Sequence, residues 1–197
     1  MKYKWLNKQN NKKVIIFFNG WGMDENVVKH LDMEDFDIVM FYDYNNLEND
    51  FILEDYEEKY LAAWSMGVMI ASKFDFGVKS ASAINGTLKP IDAEFGIHPK
   101  IYDLTIRGFN EKGREKFIQN MCEEKIICTR ELENQKSELS AIKTYSANEN
   151  FKYSKIFISD NDKIIPTKSQ SAFWGIEPNL KAGHCPFSLF KKWSELL

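Results

Sequence analysis

The sequence predicts an α/β fold: a mainly parallel sheet flanked by helices, with a helical cap insertion. Three observations carry this. Short apolar runs alternate with longer amphipathic ones, the pattern of strands joined by covering helices. No repeat, low-complexity tract or Pro/Gly/Ser-rich linker interrupts that alternation. The stretch from 87 to about 147 departs from it, with 10 basic and 10 acidic residues between Thr87 and Lys143 and helical spacing of Phe117, Met121, Leu132 and Leu139. At 197 residues the chain fits a single domain, since one domain typically takes ~100–200 residues.

The first strong strand is Val14–Phe18, an apolar run closed by Asn19-Gly20-Trp21-Gly22. A helix is expected from about Glu25 to Leu31, a second strand at Phe36–Tyr42 and a third at Tyr60–Trp64. Helical spacing resumes at Met66–Phe74, where Gly67 and Ala71 permit close packing on a sheet. Ser80–Asn85 reads as a fourth strand stopped by Gly86. Beyond the charged insertion the strand pattern returns at Lys155–Ser159. A helix near Thr167–Trp174, a short strand around Asn179–Ala182 and a final helix from Pro186 complete the series. Proline suits the first turn of a helix, and Phe187, Phe190, Trp193 and Leu197 would lie along one side. Sheet and insertion together crowd a chain of this length, so a reduced sheet lacking some leading strands is expected.

Composition narrows the function. A hydrophobic fraction of 44% and a charged fraction of 28% are those of a globular protein. The net charge of −3 gives no reason to expect nucleic acid. That mean hides an asymmetry: Asp24 to Glu58 holds 13 acidic residues and one base, Lys29. No run approaches the ~18 apolar residues of a membrane span. The basic start, Met1 to Lys13, precedes an apolar run too short for a signal peptide, which needs ~7–15 residues. Cys122, Cys128 and Cys185 form no Cys-x-x-Cys pair and read as free thiols of a cytoplasmic protein, with no zinc site.

The residues that can do chemistry cluster at strand ends. In Ala63-Trp64-Ser65-Met66-Gly67 a serine sits where a strand turns into a helix, with a small residue two positions to either side. This is the nucleophile elbow, with Ala63 in place of the first glycine. Serine needs a positioned base, itself oriented by a carboxylate. Of the three histidines, His30 reads as a surface residue and His98 as a loop or lid residue. His184, between the last strand and the last helix, falls at the same sheet edge as Ser65. Asp160 and Asp162 both follow a strand at that edge. Asp160 suits a turn at the strand tip, and Asp162, deeper in the loop, is the expected partner. The order Ser65, Asp162, His184 is that of α/β-hydrolases. An oxyanion hole would use the N–H of Met66 and one from Asn19-Gly20-Trp21-Gly22, with Trp21 the expected donor and its ring a wall of the acyl pocket.

Phe17-Phe18-Asn19-Gly20-Trp21-Gly22-Met23-Asp24, the elbow, Ile84-Asn85-Gly86-Thr87 with Pro90-Ile91-Asp92 and Gly96-Ile97, and Gly183-His184-Cys185-Pro186-Phe187 together resemble the BioG-type pimeloyl-[acyl-carrier protein] methyl ester esterases of biotin synthesis. The likeness runs over nearly the whole chain and is weakest in the cap. It implies an α/β-hydrolase fold and hydrolysis of the methyl ester of pimeloyl-carrier protein by two-step acyl transfer, without metal or organic cofactor. Many α/β-hydrolases have His-Gly where this chain has Asn19-Gly20. The implied partner is an acidic acyl-carrier protein, and the protein is expected to act as a monomer. Arg107, Lys112, Arg114 and Lys116 on the cap are candidates for carrier docking, or a solvated helix face with Glu111 and Glu115 interleaved. The alternatives are a general short-chain carboxylesterase or acyl thioesterase, and a non-catalytic hydrolase fold used for binding.

Overall fold

Six segments pair into one sheet: β1 (Lys2–Asn7), β2 (Lys13–Phe18), β3 (Phe36–Tyr42), β4 (Glu58–Trp64), β5 (Ser80–Ile84) and β6 (Lys155–Phe157). This computed structural model describes every residue except 49, 54, 55 and 123–125. Glu54 and Asp55 of the acidic stretch and Glu123, Glu124 and Lys125 of the insertion therefore lie outside the described residues. The spatial order is β1-β3-β2-β4-β5-β6. All neighbours run parallel except the edge pair β1–β3. Parallel strands are covered on both faces, which is why β2 and β3 read as near-continuous apolar runs.

Register decides where the chemistry can sit. Phe18 pairs with Ala63, Trp64 with Ile84, and Ile84 with Phe157. The carboxyl ends of β2, β4, β5 and β6 are thus level, and the segments after them emerge side by side. The fully buried helix α1 (Met66–Ala71) follows β4 without a loop. Among the described residues three helices lie between β5 and β6: α2 (Pro99–Gly108), α3 (Glu111–Met121) and α4 (Leu132–Ile142). The last helix, α5 (Thr167–Trp174), follows β6.

Several expectations need correction. The basic start, for which no strand is expected, forms β1 over Lys2–Asn7 as an antiparallel edge. Its alternation explains this, since Tyr3 and Trp5 pack on Phe51 while Lys2 and Lys4 reach carboxylates, a charged edge of the kind that resists further pairing. The helix expected over 25–31 is one 3-10 turn, Glu25–Val27, capped by Asp24, the segment being too short to repay helix nucleation. Helix α1 stops at Ala71, where the Ser72 hydroxyl turns back onto the Met69 carbonyl.

Two further elements are looser than expected. Strand β6 ends at Phe157, because the Asn179 side chain takes the Ile158 N–H at 2.9 Å. The expected strand at 179–182 is only an isolated bridge, Ser159 to Leu180. The final helix is two 3-10 turns, Phe187–Leu189 and Trp193–Leu196, separated where Lys191 and Trp193 bond the Asp32 backbone. Its apolar side survives as Phe187, Phe190, Trp193 and Leu196, with Leu196 rather than Leu197 buried.

The acidic stretch and the basic start turn out to be partners. Lys2 pairs with Asp43, Lys4 with Glu25, Lys8 with Asp37, Lys12 with Glu57 and Lys13 with Asp35. Exposed pairs of this kind contribute little individually, but Asp24, Asp37 and Asp43 are buried. Burial alone would raise the Asp43 carboxyl. The Lys2 and Asn45 hydrogen bonds and the nearby Arg130 charge outweigh it, and the pKa falls to about 2. A carboxylate depressed on folding contributes stability fully present above its unfolded pKa and lost as pH falls through the folded one. Asp43→Asn is therefore expected to lower stability at neutral pH by about 2 kcal/mol. It should also flatten the loss of unfolding free energy between about pH 4 and about pH 2, measured by urea titration across that range.

Candidate active site

Ser65 joins β4 to α1 with φ 57° and ψ −125°, a conformation that L residues rarely adopt. The sequence permits it by removing bulk nearby. A Cβ on Gly67 would lie 2.5 Å from the Phe18 carbonyl oxygen and 2.6 Å from that of Asn19, and one on Gly86 would lie 2.5 Å from the Ser65 carbonyl oxygen. Backbone bonds hold the turn: the Ser65 N–H donates to Ile84 at 2.9 Å, and the Val68 N–H donates to Ser65 at 3.1 Å.

The hydroxyl of Ser65 lies 2.8 Å from His184 Nε2, and His184 Nδ1 lies 2.8 Å from Asp162 Oδ2. All three residues are buried. Asp162 also accepts from the Ile164 and Ile165 N–H groups through Oδ1 and from Gln170 Nε2 through Oδ2. A carboxylate so occupied can only accept, which places the imidazole proton on Nδ1 and leaves Nε2 to accept from serine. Asp160 is exposed and takes the Ala182 N–H, a turn role. His30 is exposed, its ring 3.0 Å from the Phe187 carbonyl oxygen, and His98 caps α2 by accepting from the Lys100 N–H.

Three residues that sequence reasoning did not single out for this site hold it in place. Trp64 Nε1 and Asn85 Nδ2 both donate to the His184 carbonyl oxygen, each at 2.9 Å. Asn85 also exchanges bonds with Ser159, tying the end of β5 to the loop that carries Asp162. Gln170 fixes one oxygen of Asp162 and the Ile165 carbonyl at once. The isolated Asn-Gly after β5 was the available signal for Asn85. Nothing in periodicity marks Gln170.

The loop after β2 forms a turn in which the Met23 N–H donates to the Gly20 carbonyl at 3.3 Å and Gly22 has φ +73°. Positive φ at this third position belongs to a type II turn and favours glycine. Because the peptide is trans, a Gly20 carbonyl pointing into the turn makes the Trp21 N–H point out of it. Among the described residues neither the Trp21 N–H nor the Met66 N–H meets a protein acceptor. Asn19, standing where many hydrolases have histidine, closes the loop by accepting from the Gly20 N–H and donating to the Asp24 carbonyl.

Gly20, Trp21, Ser65, Met66 and His184 line one cavity of about 460 Å³, within the ~300–1,000 Å³ usual for ligand sites. Its other walls come largely from α2 and α3 and are mainly apolar, among them Tyr102, Phe109 and Phe117. The Trp21 ring packs edge-on against Phe109 and Phe117. Of the four cap cations, Arg107, Lys112 and Lys116 are exposed, and Lys116 also lines the cavity. Arg114 is half-buried and bonded to Glu111 and the Arg130 carbonyl. Among the described residues no cluster of His, Cys, Asp and Glu could hold a metal ion, and no helix is long and apolar enough to cross a membrane.

The family model described as "Pimeloyl-ACP methyl esterase BioG" matches residues 1–196. This chain belongs to the BioG family. It is similar to BioG from Haemophilus influenzae, whose crystal structure superposes with a TM-score of 0.91 at 31% identity, covering 100% of this chain and 99% of that one. It is also similar to a malonyl-[acyl-carrier protein] O-methyltransferase of Bacteroides fragilis, 37% identical over 179 residues. That match takes in 83% of this chain but only 36% of the relative, about a third of its length. The carboxylesterase CesB from Bacillus subtilis shares the fold with a TM-score of 0.52 at 12% identity, covering 93% of this chain and 80% of that one. The architecture of this BioG-family chain is thus that of the α/β-hydrolases, with a mainly parallel sheet and flanking helices.

The paired His184 and Asp162 carry a spectroscopic expectation. The Nδ1 proton held between them should give a strongly downfield resonance in water. Ser65→Ala should retain it, because that change leaves the Nδ1 side intact, and Asp162→Asn should abolish it.

Proposed function

We propose that this chain is a serine esterase that hydrolyses the methyl ester of pimeloyl-[acyl-carrier protein], yielding methanol and the free carboxylate. The observation that carries the reading is the continuous hydrogen-bonded chain Ser65–His184–Asp162 facing an apolar cavity, in a member of a family described as pimeloyl-ACP methyl esterases. Ser65 Oγ attacks the ester carbonyl carbon while its proton passes to His184 Nε2. The oxyanion takes the N–H groups of Trp21 and Met66, and losing one such donor costs roughly 3–4 kcal/mol in comparable sites. The bond from carbon to methoxy oxygen then breaks, with His184 returning the proton so that methanol leaves. Water, deprotonated by His184, attacks the acyl-serine, and the acid departs as Ser65 regains its proton. The step requires no metal or organic cofactor.

Residues 87–147 act in this reading as a cap within a single domain. The acyl chain threads beneath it while the carrier remains outside, which keeps the more reactive thioester away from Ser65. The name of the Bacteroides relative concerns methyl transfer to a carrier-bound acyl group, an ester of the kind proposed here as substrate. Cys122, Cys128 and Cys185 form no disulfide, in keeping with a reducing cytoplasm. Ser65→Ala is expected to abolish both methyl ester hydrolysis and labelling by a fluorophosphonate probe. Persistent hydrolysis by that variant would sink the reading.

The acidic carrier is proposed to meet the exposed cations at the end of α2 and the start of α3. Arg107 and Lys112 project there, whereas Arg114 is committed to Glu111. Charged contacts of this type act chiefly on encounter. Arg107→Glu with Lys112→Glu should therefore lower kcat/KM on a carrier-bound ester by roughly tenfold at low salt, the effect shrinking as salt screens it. Turnover of a free short-chain methyl ester by the same variant serves as the control and should not change.

A further inference from the structure

Both ends of one residue in the candidate oxyanion loop are gripped by a single helix. The Gly22 N–H donates to Glu138 Oε2 at 3.2 Å, and the Gly22 carbonyl accepts from Gln135 Nε2 at 2.8 Å. Gln135 and Glu138 are three residues apart on α4 and so share a face. The Trp21 indole N–H, in turn, donates to the Gln135 carbonyl at 2.8 Å. Both side chains are buried, Gln135 at 1% exposure and Glu138 at 0%. Glu138 is anchored through its other oxygen, Oε1, by the Tyr44 N–H at 2.8 Å, and Arg130 pairs at 2.7 Å with the same Oε2 that takes the Gly22 N–H. Just before α4, Thr129 donates through its N–H and hydroxyl to Asp24, and Cys128 contacts the Gly22 carbonyl.

We infer that Gln135 and Glu138 are positioning residues that set the direction of the Trp21 N–H and thereby complete the oxyanion hole. The inference rests on the serine esterase reading. Geometrically, the Gly20–Trp21 peptide is one plane of the type II turn and the Trp21–Gly22 peptide is the next. Glu138 fixes the second plane through its N–H, and Gln135 fixes the plane after it through the Gly22 carbonyl. With the Trp21 ring also tied to α4 and the Gly20 carbonyl held in the turn by the Met23 N–H, the adjoining Gly20–Trp21 plane that carries the Trp21 N–H has little freedom to rotate. Among the described residues the hydrogen bonds made by Trp21 and by the Gly22 backbone all go to 128–138 and none to the sheet. Gln135 Oε1 is buried with no partner among the described residues.

Two variants test this. Gln135→Met keeps the side-chain volume, removes the grip on the Gly22 carbonyl and discards an unpaired buried oxygen, so the fold should tolerate it. Arg130→Met with Glu138→Met replaces a buried ion pair by apolar groups, which folded proteins often accept. Measured on a soluble methyl ester, each should lower kcat by roughly tenfold or more while KM stays within about threefold, the mark of a contact made in the transition state. Affinity for a linear alkyl trifluoromethyl ketone, whose serine adduct carries an oxyanion, should fall by a similar factor. Glu138→Gln, which retains an oxygen able to accept the Gly22 N–H, should lose less than the double variant. If folded Gln135→Met keeps its kcat and ketone affinity, the positioning role is overturned, whether or not the double variant folds. Rising KM with unchanged kcat would equally overturn it, since the helix would then shape only the cavity. Ser65→Ala run alongside separates the two failures: hydrolysis surviving in Ser65→Ala removes the esterase reading itself, whereas its loss beside a normal Gln135→Met removes only this inference.

Discussion

A serine with φ 57° and ψ −125° costs about 1–3 kcal/mol to hold and persists only where its surroundings leave it no alternative. Here those surroundings are the end of β5, which accepts the Ser65 N–H, and the first turn of α1, which donates back to the Ser65 carbonyl. The turn also needs empty space, provided by Gly67 against the end of β2 and by Gly86 against Ser65 itself. Packing of α1 directly on β2 and β4, the buried Ala63 and the level ends of the parallel strands all meet this one requirement. Once the turn is fixed, the serine hydroxyl has one direction, and His184 and Asp162 have only to reach it.

They do so through polar contacts between segments far apart in the chain. His184 is held at its carbonyl by Trp64 and Asn85, so the histidine loop is anchored to the end of the strand that carries the serine and to the end of its neighbour β5. Asp162 is held by backbone N–H groups of its own loop and by Gln170 from α5. The sheet edge therefore fixes the three-residue chain, while the loop that carries Trp21 leans on α4. Two separate supports meet at the cavity, one built from strands and one from the charged segment between β5 and β6.

What was legible in the sequence follows from this division. Buried parallel strands ending in Asn-Gly-Trp-Gly, in Ser65 and in Asn-Gly show as apolar runs with abrupt stops, and those stops pointed to the serine and the loop of Trp21, whereas His184 was placed after an expected strand at 179–182 that is only an isolated bridge. The choice of Asp162 over Asp160 was legible from depth in the loop. Less visible were elements stabilised by distant backbone contacts. Strand β1 is exposed along much of its length and was masked by its lysines, and the chain after Pro186 is drawn out of a helix by Asp32. Gln135, Glu138 and Gln170 were unreadable for a different reason. Gln135 and Glu138 bond a backbone group more than a hundred residues away and look in the sequence like the solvated face of a charged helix, while Gln170 serves a carboxylate eight residues back, and none of these contacts leaves a periodic trace.

The pairing of β1 and β2 lysines with the acidic stretch changes how the molecule presents itself to a charged visitor. In the sequence the run from Asp24 to Glu58 is a block of negative charge that would repel an acidic protein. In the fold several of its carboxylates are buried or face lysines across short distances, so that edge of the sheet behaves as a set of local dipoles. Dipole fields fade faster than those of net charge, and at physiological salt even bare surface charges are screened beyond ~8 Å. An acidic partner approaching from solution would feel little of the block and would be turned chiefly by the unpaired cations nearest its path. Orientation on such an approach would thus depend more on which cations have no carboxylate neighbour than on the overall charge of the chain.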